Sequence, residues 1–122
     1  MNPPNIVILY VANPSLSAAF YAQLLGKPPV EASPTFAMFA LDHGMMLGLW
    51  GRDGVVPNTS AAAGSSELAF TLADNESVKT CHAEWVSKGI PIAQTPTQMD
   101  FGYTFVGLDP DEHRLRVFAP AH

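Results

Sequence analysis

Four histidines, one cysteine and two neighbouring arginines are the side chains of this 122-residue chain whose chemistry would most reward positioning. Imidazoles two or four residues apart would bracket a metal ion, and an activated thiol or hydroxyl would be a nucleophile. The histidines do not pair. His43 stands in a turn-forming run, His82 on a helical stretch, His113 after an Asp-Pro turn and His122 at the last position, none at such a spacing from another. Cys81 falls on the apolar stripe of the helical stretch and reads as packing. There is no G-x-S-x-G and no glycine-rich phosphate loop, and Gly44, Gly48 and Gly51 serve strands and turns. Arg114 and Arg116 remain. They alternate with Leu115 and Val117 in the stretch Leu108–Phe118, so the arginines and Phe118 share one face of a strand and the aliphatics the other. On a concave face such an arginine would address a ligand; on a convex face it would be solvated surface.

The elements that would carry these residues come in two similar sets. Asn5–Val11 is β-branched and apolar, hence a buried strand. Asn13 caps a helix with Pro14 at its first position, Leu16, Phe20 and Leu24 along it and Gly26 as its stop. Lys27-Pro28-Pro29 is a break, and strands follow near Phe36–Leu41 and Met45–Gly51 about a tight turn at Asp42-His43-Gly44. A polar, small-residue linker, 52–65, comes next. Then the order restarts: a strand at Glu67–Leu72, a cap at Asp74 or Asn75, a stripe of Val78, Cys81 and Trp85 ending at Gly89, a broken stretch with Pro91 and Pro96, a strand at Tyr103–Leu108, the Asp109-Pro110 turn and the last strand. Setting Ile6 over Glu67 brings Asn13 over Asp74, Phe20 over Cys81 and Leu24 over Trp85. The expectation is an α+β chain, one domain over 1–122, built of modules 5–51 and 66–119 about a pseudo-twofold with a cleft between their sheets.

Composition bounds the function classes. A 48% hydrophobic fraction with 14% charged residues describes a compact globular protein with a real core. The net charge of −5 and the lack of any Lys/Arg run argue against nucleic acid. A single cysteine rules out an internal disulfide and fits a reducing compartment. The apolar run Ile6–Val11 is too short for a membrane span or a signal segment, so a cytoplasmic location is expected.

Phe20-Tyr21-x-x-Leu24-Leu25-Gly26 and Asp109-Pro110-Asp111-x-His113-x-Leu115, set in the doubled module, resemble the vicinal oxygen chelate superfamily of glyoxalases, ring-cleaving dioxygenases, fosfomycin-modifying enzymes and bleomycin-resistance proteins. The resemblance spans Asn5 to Phe118 and departs at Glu112, where the family usually has glycine. It implies paired βαβββ modules, a curved mixed sheet around a pocket, and a homodimer that builds or completes that pocket. It also implies four metal-ligand positions, which map here to Ile6, Gly48, Glu67 and Arg116. Only the glutamate could ligate: isoleucine and glycine offer no ligand atom, and a guanidinium has no lone pair to give. One carboxylate does not hold a catalytic divalent ion, so no metal and no other cofactor is expected.

What remains is a metal-free cleft lined with rings. By strand parity Met46, Gly48 and Trp50 share a face, as do Ile6, Ile8 and Tyr10, and Phe101 and Tyr103 flank Gly102 near the final hairpin. Glycines 48 and 51 are read as leaving a slot beside Trp50. The binding set is therefore Trp50, Arg116, Glu67, Met46, Gly48, Tyr10, Phe101 and Tyr103, with Trp50 stacking on the ligand and Arg116 meeting its carboxylate. Glu67 either pairs with Arg116 or takes a hydrogen bond from the ligand. The resemblance then implies sequestration of a small, largely aromatic natural product, nearer to phenazine resistance than to bleomycin resistance because the chain is only mildly acidic. The competing expectations are a metal-dependent lyase, isomerase or dioxygenase with the ligands in another register, and a structural or regulatory dimer with a degenerate pocket.

Overall fold

The computed structural model describes residues 1–121; His122, the last of the four histidines, lies outside them. Two compact units divide between Ala61 and Ala62, within the 52–65 segment.

The first unit runs β1 (Ile6–Val11), α1 (Pro14–Leu25), β2 (Glu31–Ala32), β3 (Phe36–Ala40) and β4 (Met46–Gly51), with the sheet order β1-β4-β3-β2. β1 lies parallel to β4, and the other pairs are antiparallel. The second unit repeats this with β5 (Glu67–Thr71), α2 (Asn75–Ser87), β6 (Ile92–Met99), β7 (Gly102–Leu108) and β8 (Arg114–Pro120), in the order β5-β8-β7-β6. The duplication extends to register: Ile6 stands opposite Met46 and Ile8 opposite Gly48, as Glu67 stands opposite Arg114 and Ala69 opposite Arg116. No helix among the described residues is long and apolar enough to cross a membrane.

Both helices begin where the side-chain caps put them. The Asn13 carboxamide accepts from the Leu16 amide at 3.1 Å, and the Asp74 carboxylate from the amide and hydroxyl of Ser77 at 2.8 and 2.7 Å. Gly26 ends α1 in the left-handed conformation at φ 73° and donates to the Ala22 carbonyl.

Each helix covers one face of its own sheet. In the first unit that face carries Ala37, Phe39, Leu47 and Leu49, all buried beside Tyr21 and Ala18 of α1. In the second it carries Phe105, Leu115 and Val117, and α2 adds Val78 and Trp85. Trp85 meets Phe105 and Phe70 edge to face at 5.1 and 6.3 Å. Burial of these side chains is the main stabilising term, at about 25 cal/mol per Å² of apolar surface removed from water.

Two strands were not legible in the sequence. β2 has two residues, and β6 occupies the stretch read as broken. β6 is an edge strand, so Pro96 costs no ladder bond with a further neighbour. It pairs Ile92 with Gly107, Gln94 with Val106 and Thr97 with Thr104, which inserts an extra residue twice and erases the period-2 pattern. The turn into β8 is fastened by Asp109, whose buried carboxylate accepts from the amides of Asp111 and His113 at 2.9 and 2.8 Å and holds the His113 ring at 2.8 Å. Glu112 in this turn adopts φ 69°, the left-handed region that glycine enters without steric cost.

Candidate functional site

The helix-free face of the second sheet carries Glu67 from β5, Gln94 from β6, Thr104 and Val106 from β7, and Arg114, Arg116 and Phe118 from β8. Arg116 gathers all four strands. Its Nε and Nη2 donate to Glu67 Oε1 and Oε2 at 2.7 and 2.9 Å, a two-pronged ion pair. Its Nη1 donates to Gln94 Oε1 and to Thr104 Oγ1, both at 3.2 Å.

The acceptors are themselves held. The Thr104 hydroxyl spends its proton on the Val117 carbonyl at 2.9 Å, which leaves a lone pair toward Arg116. The Gln94 amide nitrogen lies 3.5 Å from the Met99 sulfur, which turns its oxygen to the guanidinium. The Phe101 ring stands 5.6 Å from the Arg116 guanidinium carbon and meets Phe118 edge to face at 5.7 Å. Arg114 leans on the same carboxylate from 3.8 Å. Glu67 is held below the usual carboxylate range, chiefly by the Arg116 hydrogen bonds; partial burial opposes this, and the charges of Arg116 and Arg114 add to it.

In the first sheet the corresponding face is apolar. It presents Ile6, Ile8 and Tyr10 from β1, Phe36 and Met38 from β3, and Met46, Gly48 and Trp50 from β4. Tyr10 meets Trp50 edge to face at 6.2 Å. The slot expected beside Trp50 is filled. A side chain at Gly48 would meet the Phe36 ring at 3.2 Å and Ile8 at 3.4 Å, and one at Gly51 would meet Pro14 and the Thr35 carbonyl at 3.3 Å. Glycine here admits the chain's own Phe36 over the strand.

Of the residues singled out from sequence, Arg116, Glu67 and Phe101 come together on one face, and Trp50, Tyr10, Met46 and Gly48 on another. Tyr103 does not join either. Its parity puts it under α2, with the Lys79 ammonium 5.9 Å from its ring. Gln94, Thr104 and Phe36 were not anticipated. Thr104 joins the face of Arg116 through the register that sets it opposite Phe118, which parity within β7 does not supply, and Gln94 was hidden with β6.

The resemblance to the superfamily maps its metal-ligand positions to Ile6, Gly48, Glu67 and Arg116, each of which is judged by its own donors. Ile6 and Gly48 carry none, Arg116 carries only N–H donors, and both oxygens of Glu67 are engaged by Arg116. These residues do not fit a divalent ion. Among the described residues the one cluster with three ligand-type side chains is Asp109, Asp111 and His113. It is the turn fastener described above. His82 packs its ring on Phe105 at 5.2 Å, and His43 sits in a single 3-10 turn (Asp42–Gly44). Burial, aided by Glu84, pushes the Cys81 thiol up, away from the reactive thiolate, though Lys88 pulls the other way. Two open hollows along α2 share Asp74 and Glu76, and one of them runs on past Ser77 to Cys81 and Glu84.

A family model for the glyoxalase/bleomycin resistance protein/dioxygenase superfamily matches residues 4–117. The chain belongs to that superfamily. A phenazine antibiotic resistance protein, EhpR from Enterobacter agglomerans, is 30% identical over 117 residues, which cover 93% of this chain and 89% of that protein. The solution structure of protein ATC0852 from Agrobacterium tumefaciens is 49% identical over the whole of both chains, with a TM-score of 0.92. A glyoxalase-related enzyme from Fulvimarina pelagi shares the fold at 21% identity and a TM-score of 0.82, over 98% of this chain and 88% of its own. The doubled βαβββ architecture is thus the superfamily's fold, as the sequence motifs implied.

Proposed function

We propose that this protein binds a small, planar, largely aromatic natural product without a metal, as a resistance-type binding protein. The observation that carries this reading is the Arg116–Glu67 ion pair at two of the four positions where the superfamily's enzymes would hold their ion. Similarity to a phenazine antibiotic resistance protein supports the same class of ligand. Each unit's helix-free face, taken by itself, offers rings to such a compound: Tyr10, Phe36 and Trp50 in the first, Phe101 and Phe118 with Arg116 in the second. Flat rings gain about 0.5–1.5 kcal/mol per well-placed aromatic pair beyond the area they bury.

Calorimetric titration with phenazine and a panel of planar antibiotics tests the reading, with elemental analysis of the purified protein beside it. Saturable binding in the presence of a chelator is expected. Trp50→Ala is expected to weaken it by about 2 kcal/mol, roughly thirtyfold. About one equivalent of a divalent ion, with activity that returns when Fe²⁺, Mn²⁺ or Zn²⁺ is restored, would replace this reading by a lyase, isomerase or dioxygenase.

A further inference from the structure

The sequence casts Arg116 as the partner of a ligand carboxylate, but its hydrogen-bond ledger is already nearly full. A guanidinium has five N–H donors. Four are committed: two to Glu67, one to Gln94 and one to Thr104. The fork that would grip an incoming carboxylate in two-pronged fashion is the edge made by Nε and Nη2, and Glu67 occupies both. The Arg116 side chain is 17% exposed and is held against the sheet, while Glu67, 30% exposed in its side chain, is the more open partner and is kept in place by the two-pronged pair. A ligand acid would have to expel a carboxylate already tied to the sheet, and would leave Glu67 partly buried beside a second anion.

We infer that Glu67 is a built-in counter-ion standing where a ligand's acid group would dock, so that this face accepts neutral planar aromatic compounds by their ring faces and gives no premium to acids. This deepens the proposed function and rests on it for the ligand's aromatic character. The geometry fits stacking: a guanidinium and a carboxylate joined by two parallel hydrogen bonds form a flat unit, and Phe101 and Phe118 stand beside it. Arg114 is the remaining cation of the cluster. It stands 3.8 Å from the same carboxylate and is 40% exposed, so Glu67 spreads its charge over both arginines.

The test has two arms. In the first, a phenazine carboxylic acid and its methyl ester are titrated calorimetrically at pH 7 into the wild type and Glu67→Gln. The wild type is expected to bind the two within about threefold. Glu67→Gln removes the competing charge from the fork, leaving only a neutral carboxamide acceptor there, and is expected to tighten the acid at least tenfold relative to the ester. A wild-type preference of tenfold or more for the acid, lost in Arg116→Met, would overturn the inference.

The second arm needs no aromatic natural product. The Arg116 Nε–H resonance of isotope-labelled protein is followed while benzoate is added. It is expected to stay put in the wild type and to shift saturably in Glu67→Gln. A saturable shift in the wild type would show that an external acid displaces Glu67, and would overturn the inference alone. Failure of both acid and ester to bind would instead defeat the proposed function, while the Nε–H result still decides the role of Glu67.

Discussion

At the scale of residues, the second unit is organised by one permanently charged group and the acceptors that satisfy it. Alternation along the last strand already put Arg114, Arg116 and Phe118 on one side, and the pairing of Glu67 with Arg116 was one of two options the sequence left open. The choice between them depended on distance, which no spacing rule supplies across 49 residues of chain. The pair has a consequence for acid stability. Glu67 titrates lower in the folded chain than in the unfolded one, so its stabilisation is fully present above the unfolded carboxylate range. It is lost as pH falls through the lowered folded value. Glu67→Gln is therefore expected to cost at most about 0.5–1 kcal/mol at pH 7, since solvent screens a pair whose carboxylate is largely exposed, and to cost progressively less as pH falls through the carboxylate range. Urea melts of both proteins from pH 3 to 7 would measure it. A difference that does not shrink with acid would show that the carboxylate's charge contributes nothing.

At the scale of elements, what was legible followed from caps and periodicity. Asn13-Pro14, Gly26 and Asp74 fix three helix ends by local chemistry, so the sequence showed them. β6 was illegible for the opposite reason: two bulges and a proline break the alternation, and its partner strand supplies the pairing. A close approach between helix and sheet was equally hidden. Gly107 of β7 lies against the Trp85 ring of α2, where an added methyl would stand 2.6 and 2.7 Å from two ring carbons and 3.3 Å from Ile90. Trp85 has little room to yield, since it is wedged between Phe70 and Phe105. Gly107→Ala should thus destabilise by about 1–3 kcal/mol, the usual cost of overpacking a core. Thermal melts would register this as a midpoint lower by roughly 4–12 °C. In a Trp85→Leu background the same substitution should cost clearly less, because the obstructing ring is gone. Equal losses in both backgrounds would show that Trp85 is not the obstacle.

At the scale of the whole molecule, a single pattern was written twice and then specialised in opposite directions. Position for position, Ile6 answers to Glu67, Met46 to Arg114, Gly48 to Arg116 and Trp50 to Phe118, through matching registers. One unit kept its helix-free face apolar and the other made it ionic, which is why the doubled pattern could be seen from sequence although few residues match. The apolar copy has a cost in water. Ile6 and Ile8 are 44% and 46% exposed on an edge strand, next to the partly exposed rings and thioethers of Tyr10, Phe36, Met38, Met46 and Trp50. Contiguous apolar surface on an open strand edge is a liability that natural proteins cover. A second copy of the chain is the cover expected along Ile6 and Ile8, beside the rings offered to the ligand, in keeping with the homodimers implied by the superfamily resemblance. Sedimentation equilibrium at micromolar concentration should therefore give twice the mass of the chain, and Ile6→Lys combined with Ile8→Lys should lower it toward one. A wild-type monomer that still binds its aromatic ligand would refute this.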